Sequence, residues 1–349
     1  MHVLLRLYSR FRAGRMDAPA LPDNHNAVVF SLESGRPLLE RVCTALGMEP
    51  GRHEERPFED GEHKMRPLES VRDRDVYVVQ SLYGDDALSV NDRLIRVLFF
   101  LGAIRDAGAA RCTLVAPYLC YARKDRRTKP RDPVSLRYLA TLIESIGVDR
   151  VVTVDVHNPA AYENAFRIPA VRGTATPLFV DALVPRIGDR EAVVVSPDAG
   201  GEKRAERVRQ ALAQRLARTV ELVFIEKFRS EGEVWGGTVV GSVQDRVAVI
   251  VDDLISSGTT LVEAAKACRT EGAAAVYAAV THGVFSSKAD ATLADAPLDR
   301  LLVCDTLPPD RLAADVRKRH VDVLGAAPLL ATTIHHLHTG TALTPLHQT

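Results

Sequence analysis

Two adjacent carboxylates followed by a run of small residues are the first candidates for chemistry in this sequence. The stretch VAVIVDDLISSGTT passes from apolar residues to two acids and five small residues, namely Asp252, Asp253, Ser256, Ser257, Gly258, Thr259 and Thr260. Small residues let backbone N–H groups converge on one point, and the helix expected from Leu261 adds positive partial charge there. The stretch therefore predicts a cradle for a phosphate monoester. Its two carboxylates are placed to bind sugar hydroxyls or a Mg²⁺ ion.

The alternative for this stretch is an ordinary strand–turn–helix connection with an Asp turn. A Walker A loop is excluded because no Gly-Lys-Ser/Thr sequence follows the strand. A lone Asp-Gly turn would favour the structural explanation. Two acids followed by five small residues before a helix favour a binding site, because ligands of open α/β sheets bind outside the carboxyl ends of the strands.

A basic pair forms a second candidate. Lys227 and Arg229 lie in EKFR at the end of a predicted strand, and the run SEGEVWGG follows them. That Gly-rich, polar run is typical of a mobile flap, and two cations on it would close over a phosphate chain as charge develops. The alternative is a solvated basic pair. Its position beside a predicted anion site favours the functional interpretation.

The segment DVHN provides a third candidate. Asp155 and His157 are two residues apart, which places them on one side of a strand end. Spacing alone does not make this a magnesium site, because Mg²⁺ prefers hard oxygen ligands to imidazole. A single histidine at a strand end is more often a structural residue, so both interpretations remain open on the spacing.

Short apolar strands alternate with helices along most of the chain. The predicted strands are DVYVVQS, RCTLVAPY, DRVVTVDVH, EAVVVSPDAGG, VELVFIEK, RVAVIVDD and AAVYAAVTH. Predicted helices are VNDRLIRVLFFLGAIRDAG, DPVSLRYLATLIESIG with Ser135 as its cap, EKRAERVRQALAQRLA and TLVEAAKACRTEG. Fully apolar strands separated by helices predict an α/β fold with mostly parallel sheets that are flanked by helices.

An internal repeat suggests two similar halves. The segment AIRDAGAARCTLVAPY at 103–118 matches ACRTEGAAAVYAAVTH at 267–282 in hydrophobic pattern and in its helix–Gly–Ala–Ala–strand turn. We expect residues 27–170 to form a first domain, onto which residues 329–345 pack back, and residues 171–328 to form a second. Residues 1–26 are expected to be a poorly ordered extension.

Composition limits the classes of partner. The 349 residues include 45 Lys+Arg and 45 Asp+Glu, so the net charge is zero, which argues against broad binding of nucleic acid or of anionic membranes. The longest apolar runs are too short to span a bilayer. Five scattered cysteines without a Cys-x-x-Cys pair favour a reduced, cytoplasmic compartment and make zinc an unlikely ligand.

Several motifs together resemble one enzyme family. The DDLISSGTT stretch resembles the phosphoribosyl-pyrophosphate loop of type I phosphoribosyltransferases and their relatives. RPFEDGE, PYLCYARKDRRTKPRDPVS, VDVHN, VVSPDAGGEKRA, IEKFR and PLLATTIHHLHTG occur in the order seen in the ribose-phosphate pyrophosphokinase family. The resemblance covers residues 28–340. It implies two phosphoribosyltransferase type I-like domains, and transfer of a pyrophosphoryl group from MgATP to ribose 5-phosphate, which gives PRPP and AMP.

The resemblance also assigns roles to residues. ATP would be bound by residues of FEDGE and ARKDR, namely Phe58, Asp60, Gly61, Glu62, Arg123 and Lys124. His157 would be a Mg²⁺ ligand, with Asp198 and Asp155 near the same metal, and Lys227 and Arg229 would lie on the catalytic loop. The run from Asp252 to Thr260 would bind ribose 5-phosphate. Because relatives share the ATP site between subunits, a dimer-based homo-oligomer, up to a hexamer, is expected.

Two departures from the family pattern leave alternatives open. The first loop position is usually acidic in the family but is Ser256 here, and Lys124 stands where a glutamine is usual. A catalytically silent regulatory homologue therefore remains possible, although the retained site residues argue against it. A phosphoribosyltransferase that consumes PRPP would explain only the 252–260 loop.

Overall fold

The computed structural model describes residues 19–21, 26–230 and 233–343 of the chain. The strands are β1 Ala27–Phe30, β2 His53–Pro57, β3 His63–Pro67, β4 Asp75–Val79, β5 Arg111–Val115, β6 Arg150–Val154, β7 Ala170–Gly173, β8 Ala192–Ser196, β9 Glu221–Ser230, β10 Glu233–Val240, β11 Val247–Ile255, β12 Ala275–Gly283, β13 Arg300–Cys304 and β14 Val321–Leu324. The helices are α1 Arg36–Leu46, α2 Val90–Asp106, α3 Ser135–Ser145, α4 Pro159–Ala165, α5 Thr176–Ile187, α6 Glu202–Leu216, α7 Thr259–Thr270, α8 Ala289–Leu293, α9 Ala314–His320 and α10 Ala327–Thr339.

The chain divides into two compact units. Unit 1 comprises 1–174 with 327–348, and unit 2 comprises 175–326. Among the described residues, the sheet of unit 1 has strand order β1-β4-β5-β6-β7 with every pair parallel. The sheet of unit 2 has order β10-β9-β8-β11-β12-β13-β14 and is parallel except for the β9–β10 pair. The predicted α/β fold with two mostly parallel sheets is confirmed.

Buried apolar strands make the centre of each sheet. All five residues of β8 are buried, as are the first five of β11. Because the strands are parallel and carry helices on their faces, both sides of each strand lie away from water, which explains their continuous apolar sequence. In unit 1 the antiparallel β2–β3 ribbon forms a separate small sheet.

The C-terminal helix belongs to unit 1. Helix α10 packs against α1 and β7, and its His338 Nδ1 lies 2.8 Å from Asp75 Oδ2. Within the segment expected to be a poorly ordered extension, Leu21 is buried and donates its N–H to the carbonyl of Leu46 at 3.0 Å. The rest of that segment, except residues 19, 20 and 26, lies outside the described residues.

Two helix starts differ from the sequence expectation. Ser135 is the first residue of α3, not its cap; Val134 takes the cap position, without a side-chain hydrogen bond. Helix α7 begins at Thr259 and not at Leu261, because Gly258 adopts φ 86° and turns the chain directly into the helix. The second shift puts Thr259 and Thr260 in the first helical turn.

Candidate active site

The carboxylates of the DDLISSGTT stretch lie at the carboxyl edge of the unit 2 sheet. Strand β11 pairs with β8 up to Ile250, and it continues beside β12 up to Ile255. Asp252 and Asp253 therefore lie where β8 has already left the ladder. Such an edge is where open α/β sheets place their ligands.

A buried arginine joins the two carboxylates. Arg204 Nη1 lies 3.2 Å from Asp252 Oδ1, and its Nη2 lies 3.0 Å from Asp253 Oδ1. The arginine and Asp253 are both buried, whereas the Asp252 side chain keeps 23% of its surface exposed. Asp253 is therefore buried within the cluster, and Asp252 keeps part of its side chain in contact with solvent.

Arg204 was not among the residues predicted from sequence, although it lies in the quoted segment SPDAGGEKRA. The signal was its helical spacing. Arg204, Val208 and Leu212 are each four residues apart and lie on the buried side of α6. An arginine on a core-facing stripe requires a carboxylate partner, because an unpaired buried charge is very costly.

The electrostatics of the cluster hold Asp252 in an unfavourable environment for charge. Burial raises the pKa of the Asp252 carboxyl, repulsion from Asp253 raises it further, and Arg204 opposes both effects. The backbone N–H of Asp253 also donates to Asp252 Oδ1 at 2.8 Å. With all three groups ionised the cluster carries one net negative charge. It is therefore an acceptor for hydroxyl groups or for a cation.

The loop after β11 exposes an uncapped helix N-terminus. Gly258 is the N-cap residue of α7 and has no side chain to cap it, while Ser257 Oγ accepts the N–H of Thr259 at 3.5 Å. Ser257 Oγ lies 3.2 Å from Thr259 Oγ1, and both Thr259 and Thr260 are exposed. The first N–H groups of a helix have no intrahelical partner, and the helix dipole adds positive charge at that point. The structure thus brings the predicted hydroxyls and the helix terminus together in one loop.

Asp198 begins the helix that carries Arg204. Its Oδ1 accepts the N–H groups of Gly200 at 2.9 Å and Gly201 at 3.0 Å, so it caps the short turn that leads into α6. The residue is exposed. Both cap bonds use the same carboxylate oxygen. Asp198 therefore has a structural task in addition to any contact with a ligand.

The basic pair lies on an antiparallel arm. In the β9–β10 pairing, Lys227 lies opposite Gly237 and Arg229 opposite Val234. The described part of SEGEVWGG is thus strand, not the loop that its composition predicts, because the two chain segments satisfy each other's backbone groups. Glu231 and Gly232 lie outside the described residues. Strand β10 forms one edge of the unit 2 sheet.

The FEDGE segment is the tip of the β2–β3 ribbon in unit 1. Phe58 donates its N–H to Glu62 O at 2.8 Å, and Gly61, at φ 91°, donates to Phe58 O at 3.1 Å. Asp60 Oδ1 accepts the N–H of Glu62 at 3.1 Å. The Arg56 guanidinium lies 5.4 Å from the centroid of the exposed Phe58 ring. The tip therefore presents an aromatic face and carboxylates in one exposed turn.

The basic run RKDRRTKPR is folded around one carboxylate. Asp132 Oδ2 accepts from Thr128 Oγ1 at 2.7 Å and from the N–H of Lys129 at 3.1 Å, while Lys124 Nζ lies 3.4 Å away. The Thr128 hydroxyl, followed by the Lys129 N–H, lowers the pKa of Asp132 to about 2. Arg123 and Lys124 are both exposed. Part of this run therefore stabilises its own loop.

The DVHN residues lie beyond the end of β6. That strand ends at Val154, and the next residue, Asp155, is buried with φ 40°. Its N–H donates to Gly173 O at 3.1 Å, whereas His157 is exposed. The expectation that both side chains share one side of a strand is wrong, because the left-handed Asp155 breaks the strand alternation. Asp155 and His157 belong to unit 1, and Asp198 belongs to unit 2.

The described part of the chain contains neither a ready-made metal centre nor a membrane-spanning helix. Across 19–21, 26–230 and 233–343, no three His, Cys, Asp or Glu side chains form a cluster that would hold a metal ion. Over the same ranges, no helix is both long and apolar enough to cross a bilayer.

Two family models match the chain. The N-terminal domain of ribose phosphate pyrophosphokinase matches residues 27–147, and the phosphoribosyl synthetase-associated domain matches residues 235–348. The ribose-phosphate pyrophosphokinase of Hyphomonas neptunium is 37% identical over 310 residues, which cover 88% of this chain and 96% of the relative. The enzyme of the same name from Xylella fastidiosa is 35% identical over 331 residues, which cover 94% and 99% of the two chains.

A solved structure gives the same result for the fold. The crystal structure of phosphoribosylpyrophosphate synthetase from Mycobacterium smegmatis matches with a TM-score of 0.81 and 33% sequence identity. The match covers 90% of this chain and 99% of that one. The likeness therefore extends over both units and not over one domain alone.

Proposed function

Since this chain belongs to the ribose-phosphate pyrophosphokinase family, we propose that it transfers the pyrophosphoryl group of ATP to the 1-hydroxyl of ribose 5-phosphate. The hydroxyl oxygen attacks the β-phosphorus, and the bond from that phosphorus to the α,β-bridging oxygen breaks. The products are PRPP, AMP and a proton. The observation that carries this proposal is the carboxylate pair of Asp252 and Asp253, held by Arg204 beside an uncapped helix N-terminus.

Ribose 5-phosphate would bind at two adjacent features of unit 2. Its phosphate would take the N–H groups and hydroxyls from Ser256 to Thr260, where the α7 terminus supplies positive partial charge. Its ring hydroxyls would donate to Asp252, whose carboxylate is half-buried and faces solvent. The Arg204 bridge fixes the carboxylates in one geometry, so little reorganisation is needed when the sugar binds.

ATP would bind at the exposed turn of unit 1. Phe58 offers a face for the adenine ring, with Asp60, Gly61 and Glu62 near the ring or its ribose, and Arg123 and Lys124 are expected to approach its phosphates. Mg²⁺ would neutralise the phosphate charge and would be held chiefly by phosphate oxygens, which suits the lack of a three-residue metal cluster in the described part of the chain. His157, Asp155 and Asp198 remain the candidate protein ligands.

Lys227 and Arg229 would stabilise the charge that develops during transfer. Phosphoryl-type transfer depends on positioning and on charge neutralisation more than on covalent chemistry. Both residues lie on β9, which pairs with the edge strand β10. The assignment rests on the match of EKFR to the family motif.

Assembly as a homo-oligomer is part of the proposal. Unit 1 carries large apolar side chains at its surface, including Phe99 on α2 and Tyr138 and Leu142 on α3, which are 59%, 56% and 47% exposed. Exposed apolar side chains of this size are typical of protein interfaces.

All five cysteines are buried and free, which agrees with a reducing, cytoplasmic environment.

One experiment separates the proposed activity from its alternatives. The purified chain is incubated with ATP, Mg²⁺ and ribose 5-phosphate, and AMP and PRPP are quantified together. Equal amounts of both products support the proposal. Nucleotide binding without turnover would instead indicate a regulatory homologue. Consumption of added PRPP with a nucleobase, but no synthesis of PRPP, would indicate a phosphoribosyltransferase.

A further inference from the structure

The segment that follows β12 holds the backbone of the phosphate loop. Val284 and Phe285 both donate their N–H groups to the carbonyl of Ile255, at 2.9 and 3.1 Å. Ser286 donates its N–H to the carbonyl of Ser256 at 3.0 Å. Two consecutive carbonyls at the start of the loop are thus drawn toward residues 284–286.

The orientation of these carbonyls fixes the opposite side of each peptide. A trans peptide unit is planar, and its C=O and N–H groups point in opposite directions. The N–H groups of Ser256 and Ser257 therefore point away from residues 284–286. Both serines are half-exposed, whereas Phe285 is buried in the core of unit 2, so the loop turns its acceptors inward and its donors outward.

The segment itself is held in a demanding conformation. Phe285 has φ 40°, a value that L residues rarely adopt, and its ring is 1% exposed. A Cβ on the preceding Gly283 would lie 2.4 Å from Phe285 Cε2 and 2.9 Å from Cζ. Only glycine therefore permits this placement of the ring. Next to it, His282 Nδ1 lies 2.9 Å from Thr306 Oγ1.

We infer that residues 283–286 act as a clamp whose backbone N–H groups hold the loop so that its own N–H groups face the 5-phosphate of ribose 5-phosphate, and that Gly283 is the positioning residue that lets this clamp form. This inference rests on the proposed function of the loop. Without the clamp, a peptide of the loop can rotate and offer its carbonyl to the anion in place of an N–H. Loss of the clamp should weaken the binding of the 5-phosphate only, because the ring hydroxyls are proposed to bind to other residues.

The test compares Gly283→Ala with Gly325→Ala. Gly325 lies in the same unit, has no atoms within 4 Å of an added Cβ, and serves as the matched control. Titration calorimetry well below the unfolding temperature should show ribose 5-phosphate affinity reduced by about tenfold or more in Gly283→Ala, as expected for lost hydrogen bonds to a charged group. ATP affinity should change less than about twofold, and Gly325→Ala should match the unaltered protein.

A second variant distinguishes the clamp from general damage. The double variant Gly283→Ala/Phe285→Leu removes the ring atoms that the new Cβ would meet, so it should recover most of the ribose 5-phosphate affinity even if it unfolds at a lower temperature. Equal losses of affinity for both substrates, or no recovery in the double variant, would overturn the clamp. The proposed function has its own test, because it fails only if the unaltered protein forms no AMP and PRPP.

Discussion

The two units share the same turn at the amino ends of their strands but carry different residues at the carboxyl ends. At the amino ends of the strands, Asp73 in unit 1 and Asp245 in unit 2 have φ values of 58° and 59°. Each donates its N–H at 2.9 Å to the carbonyl of a left-handed glycine, Gly108 or Gly272, that ends the following helix. The sequence repeat at 103–118 and 267–282 corresponds to these turns.

A salt bridge is repeated in the same way. Arg105 lies 2.9 Å from Asp149 in unit 1, and Arg269 lies 2.5 Å from Asp299 in unit 2. Each aspartate also accepts a backbone N–H from the strand before it in the chain. Asp149 accepts from Cys112 at 2.7 Å, and Asp299 accepts from Val276 at 2.6 Å. These contacts are remote from the candidate site, so their similarity reflects what the fold requires.

The carboxyl ends differ where function is proposed. Counting from the matched turns places Gln80 of unit 1 at the position of Asp252, and Ser81 at that of Asp253. The Gln80 side chain is buried and bonds to nearby backbone groups, with its Oε1 accepting from Leu32 N at 3.2 Å and its Nε2 donating to Ser81 O at 3.0 Å. Unit 1 thus replaces the carboxylate pair with a neutral, internally satisfied group.

The helix that follows differs as well. Helix α2 has a complete capping box, in which Ser89 and Asp92 bond to each other's backbone N–H. Helix α7 begins at Thr259, and its N-cap residue Gly258 has no side chain to cap it. An anion is disfavoured at a helix terminus whose N–H groups are already bonded to a cap and whose first turn carries an acid. A terminus without such a cap can bind an anion through its N–H groups. At this end of its sheet, unit 1 therefore has a capped helix where unit 2 has the proposed ribose 5-phosphate site.

The largest effect on activity is expected from a substitution on the antiparallel β9–β10 arm. The described strands of the unit 1 sheet include no such arm. Lys227→Ala should lower kcat by on the order of 10²-fold or more, because its charge matters mainly in the transition state. Circular dichroism should show little change in fold. Lys318→Ala, an exposed lysine on α9, is the control. A near-normal kcat for Lys227→Ala would remove the arm from the mechanism.

A smaller effect is expected from the carboxylate that unit 1 lacks. Asp252→Asn should weaken ribose 5-phosphate binding by about tenfold and ATP binding much less, because a charged acceptor of sugar hydroxyls is lost. Calorimetry with each substrate measures both affinities. Gln80→Ala, at the matched position of unit 1, should lower the unfolding temperature and leave ribose 5-phosphate affinity unchanged. Equal loss of both affinities in Asp252→Asn would contradict the assignment.

The same carboxylate should cost stability at neutral pH. Its pKa is raised in the folded protein, chiefly by burial and then by Asp253, so the folded state binds more protons than the unfolded state. Stability of the unaltered protein relative to Asp252→Asn should therefore fall as pH rises above about 4, the unfolded pKa, by on the order of 1 kcal/mol. Urea unfolding of both proteins at pH 4 and pH 8 measures it. A stability of the unaltered protein relative to Asp252→Asn that rises between pH 4 and pH 8 would contradict the sign.

The smallest effect is expected at the capped helix. Ser89→Ala should reduce the free energy of unfolding by about 1 kcal/mol, because it removes the N-cap hydrogen bond of α2. Ribose 5-phosphate affinity should stay unchanged. A loss of affinity in this variant, measured on fully folded protein, would mean that unit 1 takes part in phosphate binding.

Local pattern was enough to predict seven of the described strands and four of the described helices, together with the order of strand, loop and helix around residues 252–260. Apolar runs, glycines at helix ends and the Asp252–Thr260 stretch could be interpreted because each depends on contacts between residues that are close in sequence. Arg204 was missed because its partners lie 48 and 49 residues away, although its spacing with Val208 placed it on a buried face. The extension of β9 beyond Lys227 and the whole of β10 were missed because strand pairing overrode a loop-like composition. The role of Asp198 as a turn cap likewise appears only in three dimensions.

The comparison of the two helix termini is tested most directly by calorimetric titration of ribose 5-phosphate into the unaltered protein, Thr260→Val and Ser89→Ala. The account predicts one site per chain, a markedly weaker affinity in Thr260→Val with ATP affinity little changed, and no change in Ser89→Ala. Two sites per chain, or an affinity that falls in Ser89→Ala and not in Thr260→Val, would contradict the account and place the phosphate in the other unit.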